Sequence, residues 1–157
     1  MAVVEATYAD PSALLRLYLH QPESAAMSAW RARNRGALAV THHGRVEIVN
    51  GICLAAFRGA ITAPAMSDAL ASFDEDFAAG RCVQADLPWR SALQRAAELS
   101  RRHTPALGCR TLDVLHVASA LELGLGRFLT FDLRQRQLAR AVGLRPVVLP
   151  KAGPPRR

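Results

Sequence analysis

The stretch Tyr8-Ala9-Asp10-Pro11-Ser12-Ala13-Leu14-Leu15-Arg16-Leu17-Tyr18 decides how the chain is read. The residues leading into it, Val3 to Tyr8, are rich in β-branched and aromatic side chains and predict a strand. From Ser12 onward the apolar positions Leu14, Leu15, Tyr18 and Leu19 predict a helix. Asp10 therefore falls where a strand ends and a helix begins. There it can serve as a turn and cap residue, or it can mark a site.

The rest of the chain repeats this alternation. Glu23 to Arg33 predicts a second helix, closed by Asn34 and Gly36, and Leu38 to Thr41 a short buried strand. Gly44 to Arg58 and Pro64 to Ala79 predict helices, each followed by a glycine. Cys82 to Leu87 predicts a strand, Pro88 to Arg102 and Thr111 to Leu123 helices, and Arg127 to Phe131 a strand. Leu133 to Val142 closes the helical set, and Pro146 to Leu149 is a last strand. Strands alternating with helices imply an α/β layered fold around a mostly parallel sheet. No repeat or linker divides the chain, so residues 1–150 read as one domain and 151–157 as a basic, disordered tail.

In an open parallel sheet, ligands bind outside the carboxyl ends of the strands. Asp10 and Asp132 each follow a strand and precede a helix, which puts both on that edge. Glu47 lies in the apolar run Arg45-Val46-Glu47-Ile48-Val49-Asn50, just after the second strand. Asp113 sits in the first turn of the apolar helix Thr111-Leu112-Asp113-Val114-Leu115-His116-Val117-Ala118. Taken singly, each has a structural explanation as a cap, a partner of the helix dipole, or a solvated edge residue. Together they differ, because a shared sheet edge brings like charges close, and buried unpaired charge is costly. A divalent cation removes that penalty. Mg²⁺ takes oxygen ligands, keeps several waters and binds through one or two carboxylates plus substrate phosphate. Asp113→Asn is accordingly expected to stabilise the metal-free protein.

Net charge is +7, and Lys151 is the only lysine, so the surplus is guanidinium. Arg presents a planar fork that pairs with phosphate or carboxylate, which suits a phosphate-rich or acidic-protein partner. Cys53, Cys82 and Cys109 are an odd number without close pairing, which predicts reduced structural thiols in a cytoplasmic setting. No apolar run reaches the roughly 18 residues of a membrane span, and the first residues lack a signal-peptide profile.

Asp10 to Tyr18, Arg45 to Asn50, Thr111 to Ala118 and Phe128-Leu129-Thr130-Phe131-Asp132 occur in an order that resembles PIN-domain ribonucleases, especially the VapC-type toxins of toxin–antitoxin pairs. The similarity runs from about Val4 to Val148. It implies a three-layer α/β/α domain that cleaves RNA with Mg²⁺ or Mn²⁺, forms a homodimer and is blocked by a cognate antitoxin. The family's catalytic and metal-binding quartet maps to Asp10, Glu47, Asp113 and Asp132, with Ser12 as a polar neighbour of the metal. Where the family usually carries Thr or Ser directly after the first aspartate, this chain has Pro11. Proline suits the first helical turn but brings neither a hydroxyl nor a backbone donor. A catalytically weak RNA-binding or regulatory module is the second reading, disfavoured by the presence of all four acids.

Other residues fit the pattern less closely. His116 shares a helix face with Asp113 and reads as a core-edge histidine, since an oxygen-rich site favours hard cations over imidazole. His42 and His43 read as solvated loop residues, and Asp74-Glu75-Asp76 as a solvated helix face. Arg101-Arg102-His103 and Arg134-Gln135-Arg136 are candidate RNA-contact patches. A receiver domain needs a lysine beside its aspartates, and a haloacid-dehalogenase-like phosphatase needs an aspartate where Ser12 stands. No P-loop or G-x-G-x-x-G occurs.

Overall fold

The computed structural model of the chain describes residues 6–150. The start of the first strand and the basic tail at 151–157 lie outside the described residues. The chain runs β1 (Thr7–Ala9), α1 (Pro11–Tyr18), α2 (Ser24–Arg33), β2 (Leu38–Val40), α3 (His42–Phe57) and α4 (Ala63–Ala78). It continues β3 (Cys82–Gln84), α5 (Trp89–Leu107), α6 (Thr111–Glu122), β4 (Arg127–Leu129), α7 (Leu133–Ala141) and β5 (Arg145–Pro146). Every strand pairing is parallel: β1 with β4, β4 with β5, and β2 with β3. Parallel pairing needs a crossover, and helices supply each one.

Side-chain alternation along the strands makes the three layers. Tyr8 and Phe128 point into one core with Val114, Val117, Leu138 and Ala139, beneath α6 and α7. Their neighbours Ala9 and Leu129 point into the other, with Leu14, Met27, Ile48, Ile52 and Phe73 of α1 to α4. The period of two thus places α5, α6 and α7 on one face of the sheet and α1 to α4 on the other. The α/β/α architecture expected from the sequence is the one observed.

Several boundaries differ, among them those of α5, β3 and β5. Helix α5 continues past Arg102 through Pro105 to Leu107. The lost amide falls in the last turns, and Leu107 packs onto the second core. Gly108, with φ of 64°, then ends the helix in a conformation that glycine adopts without a Cβ clash. Strand β3 stops at Gln84, although Ala85 and Leu87 remain buried. Strand β5 begins one residue early, and the Val147 amide extends its pairing by donating to the Phe128 carbonyl. Among the described residues no helix is long and apolar enough to cross a membrane.

Candidate functional site

Three of the four acids are placed by local devices at helix starts. Asp10 is the N-cap of α1, its carboxylate accepting from the Ala13 amide, and Pro11 occupies the first helical turn. Its own amide donates to the Leu129 carbonyl, tying it to the end of β4. Asp132 caps α7 by accepting from the Gln135 amide at 2.8 Å. Asp113 stands in the first turn of α6 and accepts from the Arg110 amide at 3.3 Å. The cap and the site are therefore one arrangement: orphan helix-end amides orient three carboxylates. Glu47, inside α3, has no such support.

Ser12 supplies the hydroxyl that Pro11 lacks. Its Oγ donates to Asp10 Oδ1 at 2.7 Å and accepts from the Phe131 amide at 3.1 Å, which joins α1 to the end of β4. Thr130 makes the second link, its Oγ1 lying 3.0 Å from Asp10 Oδ2 while accepting from the Asp132 amide. The same hydroxyl lies 2.7 Å from Gln135 Oε1, and Gln135 Nε2 donates to the Asp113 carbonyl. Gln135 Oε1 can only accept. The single Thr130 proton therefore cannot satisfy both Gln135 and an ionised Asp10. Protonation of Asp10 resolves the conflict, because Oδ2–H then donates to Thr130 and Thr130 donates to Gln135. A cation at Asp10 resolves it equally.

Burial pushes the Asp10 carboxyl up to about 6, against the hydrogen bonds from Ser12, Ala13 and Thr130. Asp10 is 4% exposed, so little solvent offsets that cost. An acid raised in the folded state is held protonated more tightly there than in the unfolded chain. Its contribution to stability is whole below its ordinary value of 3.8 and is lost as pH rises through about 6. In EDTA, the melting temperature of the wild type should fall relative to Asp10→Asn across that window, and the two curves should run parallel above it. Melting curves at half-unit pH steps check this.

Asp113 and Asp132 already share a cation. Arg110 Nε lies 3.2 Å from Asp113 Oδ2, and its Nη2 lies 3.7 Å from Asp132 Oδ2. The guanidinium is pushed up by Asp113 first, then by Asp132, with Glu47 also contributing. This exposed side chain marks where positive charge is favoured, between acids of α6 and α7. It also shifts the expectation for Asp113→Asn: Asp113 has a cation and a helix terminus beside it, so the unpaired charge is at Asp10. As the side chains stand, no three or more His, Cys, Asp or Glu among the described residues close around one point. Mg²⁺ needs only one or two carboxylates, with water and phosphate completing its shell. An all-oxygen donor set, a carboxyl with no spare proton donor and a guanidinium bridging two acids fit such an ion.

Glu47 meets the site through a histidine. Its Oε1 lies 2.7 Å from His116 Nε2, and His116 Nδ1 lies 2.7 Å from the Tyr8 hydroxyl. His116 is 2% exposed and bonded at both nitrogens, so it is neither a metal ligand nor a passive core residue. Gly44 leaves room for the Thr41 cap beside it, since a Cβ there would sit 2.9 Å from Thr41 Oγ1. His42 and His43 form the first turn of α3 rather than a loop. His43 packs on His116 at 4.6 Å and on Trp89 at 5.2 Å, and burial pushes its imidazole down to about 3.

The arginine patches separate. Arg134 lines a shallow depression of about 370 Å³ with Arg110, Asp132 and Leu133. Arg136 donates to the Thr130 carbonyl at 2.9 Å and braces the site from behind. Arg101 and Arg102 are exposed on α5, with no hydrogen bond to the four acids among the described residues. Asp76 is not a solvated face residue, because it accepts from Tyr18 and pairs with Arg81. Sequence reasoning missed Tyr8, Arg110, Thr130 and Gln135. The signal for the last two was present, since both lie within three residues of Asp132.

A family model described as PIN domain matches residues 7–141. The chain is 30% identical over 141 residues to Ribonuclease VapC46 of Mycobacterium tuberculosis (strain ATCC 25618 / H37Rv). That alignment spans 88% of this chain and 94% of the relative.

Proposed function

The chain belongs to the PIN-domain family, and from that premise we propose that it is a Mg²⁺- or Mn²⁺-dependent endoribonuclease acting as the toxin of a toxin–antitoxin pair. The observation that supports this reading is Arg110 bridging Asp113 and Asp132, with Asp10 tied to the Asp132 amide through the Thr130 hydroxyl. Asp10, Glu47, Asp113 and Asp132 would hold the metal, directly or through water, with Ser12 fixing one oxygen of Asp10. When bound, a divalent cation makes water a nucleophile at neutral pH and draws charge from the scissile phosphate. The protein's part is to hold the acids aligned, with Asp10 alone buried from bulk water. Arg110, displaced from its carboxylates, and Arg134 then offer guanidinium groups to the RNA backbone at the mouth.

Partners follow from the same family reading and from the surface. Val46, Val49 and Phe57 stand exposed along α3, with Phe57 87% exposed, an apolar strip of the kind a protein partner covers. A second copy of the chain and a cognate antitoxin are the proposed partners, in the cytoplasm. Induced expression followed by mapping of new RNA 5′ ends tests the function. Discrete new ends and growth arrest are expected for the wild type and not for Asp132→Asn. Identical end profiles for the two would count against this reading.

A further inference from the structure

Three of the four acids are immobilised by the ends of the helices they begin: Asp10 by α1, Asp113 by α6 and Asp132 by α7. Glu47 is the exception. It has the longest side chain of the four and sits five residues inside α3, where helix-end amides do not reach it. We propose that Tyr8 and His116 are positioning residues for Glu47, a buried Tyr–His–Glu relay that does for this acid what the caps do for the others. The inference rests on the reading that the four acids hold a divalent cation.

The hydrogen bonds fix a direction. An ionised carboxylate only accepts, so His116 Nε2 carries the proton in its 2.7 Å contact with Glu47 Oε1. In the Nε2–H tautomer Nδ1 is an acceptor, and the Tyr8 hydroxyl, 2.7 Å away, donates to it. Tyr8 is held in turn by the sheet, two residues before Asp10 on β1, with its ring stacked on Phe128 at 5.4 Å. His43 packs against the other side of the imidazole. Glu47 Oε1 is thus fixed from the core, and among the described residues its Oε2 accepts from no protein group, which leaves that oxygen for a cation. Histidines that orient metal ligands commonly act through such outer contacts, and their loss weakens metal binding by roughly 10- to 100-fold.

The test is a calorimetric titration of the purified full chain with Mg²⁺, in the wild type, Tyr8→Phe, His116→Ala, His116→Gln, Glu47→Gln, Asp10→Asn and the Tyr8→Phe/Glu47→Gln double variant. Tyr8→Phe keeps the ring and its stack but leaves the buried Nδ1 without its donor, so the metal-free melting temperature should fall modestly while the Kd for Mg²⁺ rises about tenfold. His116→Ala should weaken binding further, and His116→Gln, which can still donate toward Glu47, should recover most of it. In the Glu47→Gln background, Tyr8→Phe should change the Kd less than twofold. Nitrogen chemical shifts of the metal-free protein should show the Nε2–H tautomer of His116. A Tyr8→Phe protein that binds Mg²⁺ as the wild type does overturns the relay, as does an undiminished tenfold loss in the Glu47→Gln background. If the wild type binds and Asp10→Asn does not, such a result removes the relay alone. A wild type that binds no Mg²⁺ removes the metal site and the relay together.

Discussion

Asp10→Asn should reduce RNA cleavage about a thousandfold and, in the absence of metal, make the protein more stable. The first effect follows from the metal's share of transition-state stabilisation, several kcal/mol, with each 1.36 kcal/mol worth a factor of ten. The second follows from burial. The carboxyl is raised from 3.8 to about 6, so at pH 7 its ionisation in the fold costs about 2–3 kcal/mol. Asparagine removes that charge. Its Nδ2 can donate to Thr130 as the protonated acid does, and its Oδ1 can still accept from Ser12 and Ala13. A rise in melting temperature of about 5–10 °C in EDTA is expected at pH 7. In excess Mg²⁺ the gap should shrink, because only the wild type gains stability by binding the ion. A variant that loses activity and stability together would place Asp10 in the core and not at a metal.

The second large effect is expected at Phe128. It is fully buried and stacks face to face on Tyr8, with the rings 2° from parallel. Phe128→Ala opens a cavity between the sheet, α6 and α7, at about 3–5 kcal/mol. For a chain of this size that is a fall of about 8–15 °C in melting temperature, measured by thermal unfolding. The cavity lies directly under the Tyr8 ring, so the loss should reach the site as well as the fold. Val148→Ala, at an apolar residue 67% exposed, should stay within about 0.5 kcal/mol and serves as the control.

What was legible in the sequence and what was not have physical reasons. The alternation of strands and helices follows from hydrophobic period, and the alternation of Tyr8 with Ala9 and of Phe128 with Leu129 sorts the helices onto two faces. The acids were legible because strand ends and helix starts are local events. The helix expected to end at Arg102 runs on through Pro105 to Leu107, because the packing of Leu107 that carries it there is not a local event. Contacts between distant residues left no local trace. Tyr8 and His116 are 108 positions apart, and His116 and Glu47 are 69 apart. His116 read as a core-edge residue because neither partner lies on its own helix. Arg110 was overlooked as one surface arginine among many, and only the fold sets it across Asp113 and Asp132.

The most direct measurement of the central claim is cleavage of a mixed RNA pool by the purified chain, stripped with EDTA and then returned to increasing Mg²⁺. The expected result is no cleavage in EDTA and a rate that rises and saturates with Mg²⁺. Cleavage in EDTA at the rate seen in saturating Mg²⁺ would contradict a metal site built by Asp10, Glu47, Asp113 and Asp132.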